Sequence, residues 1–424
     1  MIRVVLRLGA IVFTMALWAF LVFTGTVNGW FRDAMAPVGD TQRFMDVAIE
    51  KLKAESTGNV VLTLLEDGKV FASFEQSAGR PVDTNTPFQS ASLSKWITAW
   101  GVMALVDQGR IDLDAPIANY LTRWQLPTSP YDNNEVTVRR LLSHTAGLTD
   151  GLGYSGFDSA AQMQTLEASL ANPNASSSDQ DHSIVVGMPP GREFAYSGGG
   201  YTLLQLLIEE VSGERFESFM QHTVLDPLGM TDTTYTAFGD LTVADQYRMD
   251  GTISPHLHWT NTAAASIYTS SRDMTRFLLS HFEGEGAEPI GRGVLSPELV
   301  LAMQHPEAKL MGMGIWGMGP ILQAPNNRGG YVLGGGGLRT DPAINADARI
   351  NPATGNGIIV LQSGNRALAS DLASEWTFWE TGSLDLFMVR ASGDAIGRTV
   401  LIGWGVIVGI TFLWWMVRRR KQAT

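Results

Sequence analysis

The feature that most constrains the fold of this chain is a long apolar segment at each end. Residues 399–417 form an uncharged run of nineteen residues, and the basic residues 418–421 follow at once. As a helix this run would reach about 28 Å, close to the hydrocarbon thickness of a bilayer. Trp414 and Trp415 lie where an interfacial aromatic belt is expected, and the basic cluster marks the cytoplasmic side. We therefore predict a transmembrane helix at 399–417 and a cytoplasmic basic tail at 418–424.

The N-terminal apolar segment has two interpretations. Arg3 and Arg7 precede an apolar stretch over residues 8–27, so residues 1–30 are either a membrane anchor or a signal segment that is cleaved. The stretch exceeds the ~7–15 residues of a signal core, which favours the anchor. Because the basic end stays inside in either case, we predict that both termini are cytoplasmic and that residues 35–395, approximately, lie on the exported side.

Composition describes the part between these segments. The chain has 424 residues, 45% of them apolar and 17% charged, which suits one large domain or two closely associated ones. We assign residues 38–384 to the domain and residues 385–398 to a linker. A net charge of −12 argues against nucleic acid as a partner, since binding phosphates needs a basic surface. The chain has no cysteine, which excludes disulfides, thiolate metal sites and cysteine nucleophiles.

The central region contains both strand and helix patterns. Two β-rich runs, 60–65 and 70–74, flank Asp67 and Gly68, a strong hairpin signal. The segment 150–190 is rich in Gly, Ser and Asn and predicts a loop-bearing subdomain. Further helices are predicted at 92–108, 201–211, 271–281 and 367–380, and further strands at 330–333, 343–350 and 357–362. Strands at both ends of the domain, with helices between them, predict an α/β fold whose sheet joins distant segments.

A serine and a lysine three positions apart, Ser92 and Lys95, stand where a long apolar helix begins. Residues i and i+3 share one helix face, with Cβ atoms about 5–6 Å apart. A serine hydroxyl is a poor nucleophile until a neighbour takes its proton, and burial favours the neutral lysine that can do so. S-x-x-K is the nucleophile motif of β-lactamases and penicillin-binding proteins, although two residue types at one spacing also recur by chance.

Tyr196 is a second candidate, because it precedes a glycine-rich turn and a helix. A loop tyrosine held beside a lysine is favoured as the phenolate by the positive charge. Such a pair can move a proton from an attacking serine to a leaving group. Without Ser92 and Lys95, an ordinary loop tyrosine is the better interpretation.

At this point the chain resembles a known family. Residues 88–121 are similar to the nucleophile region of class C β-lactamase-related serine hydrolases, which include esterases, D-stereospecific peptidases and low-molecular-weight penicillin-binding proteins. The resemblance covers roughly residues 40–380 and continues in order through 136–148, 190–213, 225–234 and 263–278.

This resemblance implies a site and a location. Ser92 is expected to be the acylated nucleophile, Lys95 its partner and Tyr196 the general base and acid. The implied fold is an antiparallel sheet flanked by helices beside a mostly helical subdomain, with the site between them. No metal or organic cofactor is needed. The implied location is the inner membrane of a bacterium, with the domain facing the periplasm or the exterior.

Two positions depart from the family pattern. Gly198 stands two residues after the tyrosine, where the family usually has asparagine, and Ser197 is only a partial substitute for that amide. The third family motif falls at 334–337, which is entirely glycine and has no basic side chain. That loss disfavours substrates with a free carboxylate, such as β-lactams and D,D-peptides. Arg339 is offset by five from Gly334 and is expected on the opposite strand face.

The glycine-rich motif can still act through its backbone. An N–H from Gly337, together with that of Ser92, is predicted to form an oxyanion hole. We also predict that Gly335 and Gly336, with Ser197 and Gly198, line the substrate site.

Other motifs are weaker. Residues 312–317 match G-x-G-x-x-G without a strand–turn–helix around them, so packing near an edge strand is favoured. His256 and His258 can share a strand face, but no third metal ligand is apparent. His144 invites a Ser–His interpretation, yet the chain has no G-x-S-x-G elbow, so a structural role is favoured.

These observations predict a membrane-tethered serine hydrolase that cleaves an ester or amide bond of a small molecule or peptide through a Ser92 acyl-enzyme, on the exported side. Two alternatives remain open. One is a penicillin-binding D,D-carboxypeptidase or a β-lactamase. The other is a binding or scaffold protein of the same fold, in which Gly198 and Gly334 have impaired the site.

Overall fold

The structure, a computed structural model, describes residues 2–150, 154–174 and 184–422. Parts of the predicted subdomain 150–190 and of the tail 418–424 lie outside these residues. The helices are α1 (Ile2–Val27), α2 (Thr41–Glu55), α3 (Ser94–Asp107), α4 (Val138–Leu142), α5 (Leu166–Ala171), α6 (Gly198–Ser212), α7 (Phe216–Met220), α8 (Thr262–Ala265), α9 (Ser271–Leu279), α10 (Pro297–Met303), α11 (Leu368–Thr381), α12 (Leu386–Ala391) and α13 (Gly393–Gln422). The strands are β1 (Val60–Glu66), β2 (Lys69–Gln76), β3 (Phe88–Gln89), β4 (Gln246–Tyr247), β5 (Ile253–Ser254), β6 (Tyr268–Thr269), β7 (Ala308–Leu310), β8 (Met313–Trp316), β9 (Ile321–Pro325), β10 (Tyr331–Arg339), β11 (Ile344–Asn351) and β12 (Asn356–Ser363).

An eight-stranded sheet joins the two ends of the domain. Its strand order is β2-β1-β12-β11-β10-β9-β8-β7, and its pairs are antiparallel. β1 and β2 form the predicted hairpin, with Glu66 opposite Lys69 and positive φ at both Asp67 and Gly68. β1 also pairs with β12, with Val60 opposite Gln362. The predicted sheet of distant segments is therefore confirmed.

Helices cover both faces of this sheet, as the apolar run of β1 requires. Side chains alternate between the two faces of a strand. Val60, Leu62 and Leu64 pack with α2 and α11 on one face. Val61 and Leu65 belong to the larger core on the other face, which includes α3, α6 and α9. A strand buried on both faces loses the polar alternation of a half-exposed strand.

The predicted helices are present, with small shifts at their ends. α6 begins at Gly198, three residues before the predicted start, and ends at Gly213, whose φ of 79° is the left-handed cap that glycine favours. Several elements were not predicted, including α2 and three strands at one end of the sheet. α2 is capped by Asp40, whose side chain accepts a hydrogen bond from Arg43 N, and the short strands β7, β8 and β9 extend the sheet beyond β10.

The two terminal helices contact each other. The Trp18 indole N–H donates to Thr399 O at 3.3 Å, and the Trp404 indole N–H donates to Met15 O at 2.9 Å. Leu8–Val27 and the helix from Gly393 are both long and apolar enough to cross a membrane, each with a mean hydropathy of 2.1. Residues 385–398, assigned to a linker, form α12 and the beginning of α13.

Candidate active site

Ser92 lies in a tight turn at the start of α3. The turn is a 3₁₀ segment, Ala91–Leu93, and α3 follows it directly. Ala91 has a φ of 45°, in the left-handed region that non-glycine residues seldom adopt. Such backbone strain is concentrated at functional sites. The Ser92 side chain is half-buried, so a ligand can reach its hydroxyl.

Lys95 connects this turn to two other parts of the fold. Its side chain is almost entirely buried, at 4% exposed. The ammonium Nζ donates to Ser92 Oγ at 3.2 Å and to the carbonyl of Ala264, in α8, at 2.7 Å. It also lies 5.0 Å from the ring centroid of Tyr196. Within the described residues, no carboxylate lies within 4.0 Å of this lysine.

Tyr196 completes the predicted cluster from the loop before α6. Its ring stacks on the imidazole of His144, with centroids 4.4 Å apart and an interplanar angle of 27°. The Trp316 ring lies 5.8 Å from it on another side. The structure thus brings Ser92, Lys95 and Tyr196 together, although Tyr196 is separated by about a hundred residues of chain from the other two.

His144 is uncharged and packs against the loop that carries Tyr196. It adopts a φ of 57° and is buried. Burial, and then the charge of Lys95, holds the pKa of the imidazole well below its usual value. Nδ1 accepts a hydrogen bond from Ser197 N at 3.1 Å, which puts the ring proton on Nε2. Nε2 is buried and makes no hydrogen bond.

Ser197 is turned toward the helix start. Its Oγ donates to a carboxylate oxygen of Asp150 and accepts from Gly200 N at 2.8 Å. The hydroxyl is therefore already engaged in capping α6, and Ser197 is buried. Gly198 is the first residue of α6 and offers no side chain in place of the family's asparagine.

Asp150 is a residue of this site that the sequence did not single out. It is buried, and besides Ser197 it accepts a hydrogen bond from Gly199 N at 2.7 Å. Burial raises the pKa of its carboxyl group, while its hydrogen bonds and the charge of Lys95 oppose that rise. In the sequence it stands inside a segment that has the composition of a loop, so nothing marked it as a partner of the Tyr196 turn.

The glycines of β10 divide between the two sheet faces. A Cβ on Gly337 would lie 1.9 Å from Ser90 O and 2.9 Å from Ser92 N. A Cβ on Gly335 would lie 2.8 Å from the side chains of Leu93 and Trp96. These two glycines therefore allow the strand to lie directly against the Ser92 turn.

Gly334 and Gly336 face the other side, toward Arg349 and Asp347. A basic side chain in this part of the third motif could therefore not reach Ser92. At position 334 it would point to the other sheet face, and at position 335 it would collide with Leu93 and Trp96. Arg339 lies on the strand face opposite Gly334, as its offset of five predicts. This is the face of Gly337, which lies against the Ser92 turn.

Arg339 is thus a cation on the Ser92 side of the sheet. Its guanidinium lies 5.1 Å from the ring of Trp259 and donates to Ser155 O at 3.2 Å. Burial lowers the pKa of this guanidinium from its ordinary value.

The two histidines that were considered as a metal pair, His256 and His258, have structural contacts. His256 Nδ1 lies 3.1 Å from the Tyr268 hydroxyl, and His258 stacks on Phe238 with ring centroids 3.9 Å apart. Within the part of the chain that the structure describes, no group of three or more His, Asp or Glu side chains is arranged to hold a metal ion. Residues 312–317 include β8, which lies next to the edge strand β7, as the interpretation of packing near an edge strand favoured.

An antiparallel sheet flanked by helices, with a serine and a lysine one helical turn apart at its edge, defines the class of β-lactamase- and transpeptidase-like proteins. The family model described as Beta-lactamase matches residues 41–376. The chain therefore belongs to the beta-lactamase family of serine hydrolases, and the predicted resemblance is confirmed.

Individual relatives agree with this assignment. Penicillin-binding protein 4* of Bacillus subtilis (strain 168) is 31% identical over 201 residues, which are 45% of this chain and 41% of that protein. The chain thus matches less than half the length of this relative. The octameric penicillin-binding protein homologue from Pyrococcus abyssi is 25% identical, with a TM-score of 0.63 over 79% of this chain and 76% of that chain. The Beta-lactamase/D-alanine Carboxypeptidase from Yersinia pestis shares the fold at 18% identity and a TM-score of 0.60, over 80% and 99% of the two chains.

Proposed function

We propose that this chain is a serine hydrolase that cleaves an ester or amide bond through an acyl-enzyme on Ser92. The observation that carries the proposal is the 3.2 Å contact between Lys95 Nζ and Ser92 Oγ, with the Tyr196 ring 5.0 Å from the same ammonium. In this cluster Tyr196 is the proposed base, and Lys95 is the group that contacts both the hydroxyl and the tyrosine. A nucleophile, a base and an orienting group held together are the geometric signature of an activated hydroxyl.

In this mechanism Ser92 Oγ attacks the carbonyl carbon while its proton passes to the Tyr196 oxygen, beside Lys95. The carbonyl oxygen becomes an oxyanion next to Ser92 N and the Gly337 backbone. Collapse of this intermediate breaks the ester or amide bond, and the departing oxygen or nitrogen takes the proton. Water then attacks the acyl-enzyme with Tyr196 as base, which releases the acid and restores Ser92.

The substrate we propose is an ester or amide of a small molecule or peptide. A second candidate is a penicillin-binding D,D-carboxypeptidase or a β-lactamase. Arg339 favours that candidate, because it supplies a cation on the Ser92 side of the sheet where the third motif has none.

Two covalent probes test these candidates on the full chain in detergent. A fluorophosphonate is expected to label the protein, and mass analysis should locate the adduct on the peptide that contains Ser92. A fluorescent penicillin that labels the same residue would favour the second candidate. A folded protein that neither probe labels and that hydrolyses no activated ester would instead support the binding or scaffold alternative.

We further propose that α1 and α13 both span the membrane, with the termini in the cytoplasm and the domain outside. Their length and hydropathy, and the basic residues after 417, support this topology. A reporter that is active only after export is expected to be active when it is inserted at the exposed Gly286, and inactive when it is fused after Thr424.

Deletion of residues 399–417 provides the control for this topology. Without that span, the reporter fused after Thr424 should become active. Export of Thr424 in the intact chain would contradict the proposal, and so would a cytoplasmic Gly286.

A further inference from the structure

The turn that carries Tyr196 is held by two buried side chains that the proposed chemistry does not use. Ser197, the next residue, donates its backbone N–H to His144 Nδ1 at 3.1 Å and its hydroxyl to Asp150. These two hydrogen bonds fix Ser197, the residue that directly follows the candidate base Tyr196. The position of the phenol therefore depends on groups some fifty residues earlier in the chain.

His144 accepts hydrogen bonds from the residue before Tyr196 and from the residue after it. Its carbonyl accepts from Ala195 N at 2.8 Å, and its Nδ1 accepts from Ser197 N. Between these two bonds, the imidazole stacks on the Tyr196 ring at 4.4 Å. The same residue thus fixes the backbone before and after Tyr196 and also supports its ring.

Asp150 fixes the place where α6 begins. Its second carboxylate oxygen accepts from Gly199 N at 2.7 Å, while the Ser197 hydroxyl accepts from Gly200 N at 2.8 Å. These N–H groups belong to the first turn of a fifteen-residue helix and have no partner within the helix. A negative charge at this helix end is also favourable. Asp150 therefore determines the direction in which the chain leaves Tyr196 and enters α6.

We propose that Asp150 and His144 are positioning residues that hold the Tyr196 phenol next to Lys95. This inference rests on the proposed function of Ser92, Lys95 and Tyr196. Gly198 has no side chain that could add a further contact at this turn.

A double-mutant cycle with Tyr196→Phe tests the inference on the full chain. Asp150→Asn keeps an oxygen for Ser197 but turns an NH₂ group toward Gly199 N–H. We expect kcat for an activated ester to fall about 10–100-fold, with little change in KM, because a misplacement of about 1 Å costs rates of this order. In the Tyr196→Phe background the same change should alter kcat less than about threefold, since interacting sites are not additive. His144→Gln, which removes the stacked ring, should behave in the same way.

Asp273→Asn is the matched control. Asp273 is also a fully buried carboxylate, and it accepts hydrogen bonds from Asp232 N at 2.7 Å and from the Thr233 hydroxyl at 2.9 Å. This substitution is expected to lower the thermal unfolding midpoint but to change kcat less than about threefold in either background, because distant sites act independently. Where Asp150→Asn does not fold, Ser197→Ala, which removes the hydroxyl bonds to Asp150 and to Gly200 N, takes its place in the cycle.

Failure of this inference and failure of the proposed function are distinguishable. If the losses from Asp150→Asn and Tyr196→Phe multiply, Asp150 does not act through Tyr196, and the inference is wrong while the hydrolase stands. If the unaltered protein hydrolyses no ester, the proposed function fails. In that case, NMR of the protein labelled with ¹³Cζ-tyrosine decides the inference. The Tyr196 signal is the one that is missing from the spectrum of Tyr196→Phe. It should shift in Asp150→Asn and not in Asp273→Asn, and a Tyr196 signal that does not move in Asp150→Asn would overturn the inference.

Discussion

Ser92→Ala is expected to abolish covalent labelling and to lower hydrolysis of an activated ester by about 10³-fold or more. Removal of the nucleophile of a serine hydrolase costs up to about 10⁶ in kcat, and the residual rate comes from binding and oxyanion stabilisation. Folding of the variant is checked by circular dichroism and by its thermal midpoint. A fully active Ser92→Ala protein would refute the acyl-enzyme on this residue.

Lys95→Met extends this prediction to the neighbouring amine. The variant keeps an unbranched side chain of similar length but cannot donate to Ser92 or to the Ala264 carbonyl. Loss of a general acid–base partner costs about 10²–10⁴ in rate, so labelling by the fluorophosphonate should slow by that factor. The control is Lys53→Met on α2, where the lysine is exposed and far from Ser92 in the fold. Equal labelling rates for the two variants would exclude Lys95 from the chemistry.

Gly337→Ala is expected to lower both the activity and the stability of the protein. The added methyl would lie 1.9 Å from Ser90 O and 2.9 Å from Ser92 N, and both are backbone atoms that cannot rotate away. β10 would have to separate from the Ser92 turn, which removes the Gly337 backbone from the proposed oxyanion site. Loss of one such donor costs about 10²–10³ in kcat, and the forced shift should destabilise the protein by about 1–3 kcal/mol.

The neighbouring glycine provides the comparison for this prediction. A methyl at Gly336 would face Ala346 O and Asp347, each at 3.4 Å, so it needs only a slight adjustment. We expect less than about a tenfold loss for Gly336→Ala, since its nearest contacts lie on the face turned away from Ser92. The measurements are kcat/KM and the thermal midpoint of both variants. Similar values for the two would mean that the close approach of Gly337 has no role in the reaction.

Local patterns were sufficient to predict the core of the candidate site. The spacing of Ser92 and Lys95 on one helix face, and the place of Tyr196 before a helix, are readable without the fold. The hairpin at Asp67 was equally local, because its turn residues and flanking apolar runs are adjacent in the chain. The family resemblance supplied the remaining step, which is that a loop a hundred residues away meets the start of α3.

Features that depend on pairing between distant segments could not be predicted from local patterns. Which glycines of β10 face Ser92 depends on its register against β11, and a shift of one residue exchanges the two faces. Arg339 was correctly placed on the strand face opposite Gly334, but the sequence alone did not show that Gly334 faces away from Ser92. Asp150 and Ser197 are separated by 47 positions in the sequence, and the neighbours of Asp150 in the sequence are ordinary turn residues.

The close contact beneath Gly335 also limits how this protein can be redesigned. Leu93 and Trp96 occupy the volume into which any side chain at 335 would have to grow, and Trp96 is 1% exposed in the interior. Engineering a carboxylate-binding lysine there would first require a smaller residue at 96, with the stability cost of a cavity in the core. The side chains that position 335 can carry are therefore limited by the buried residues Leu93 and Trp96, so a substitution at 335 alone will not add a basic group beside Ser92.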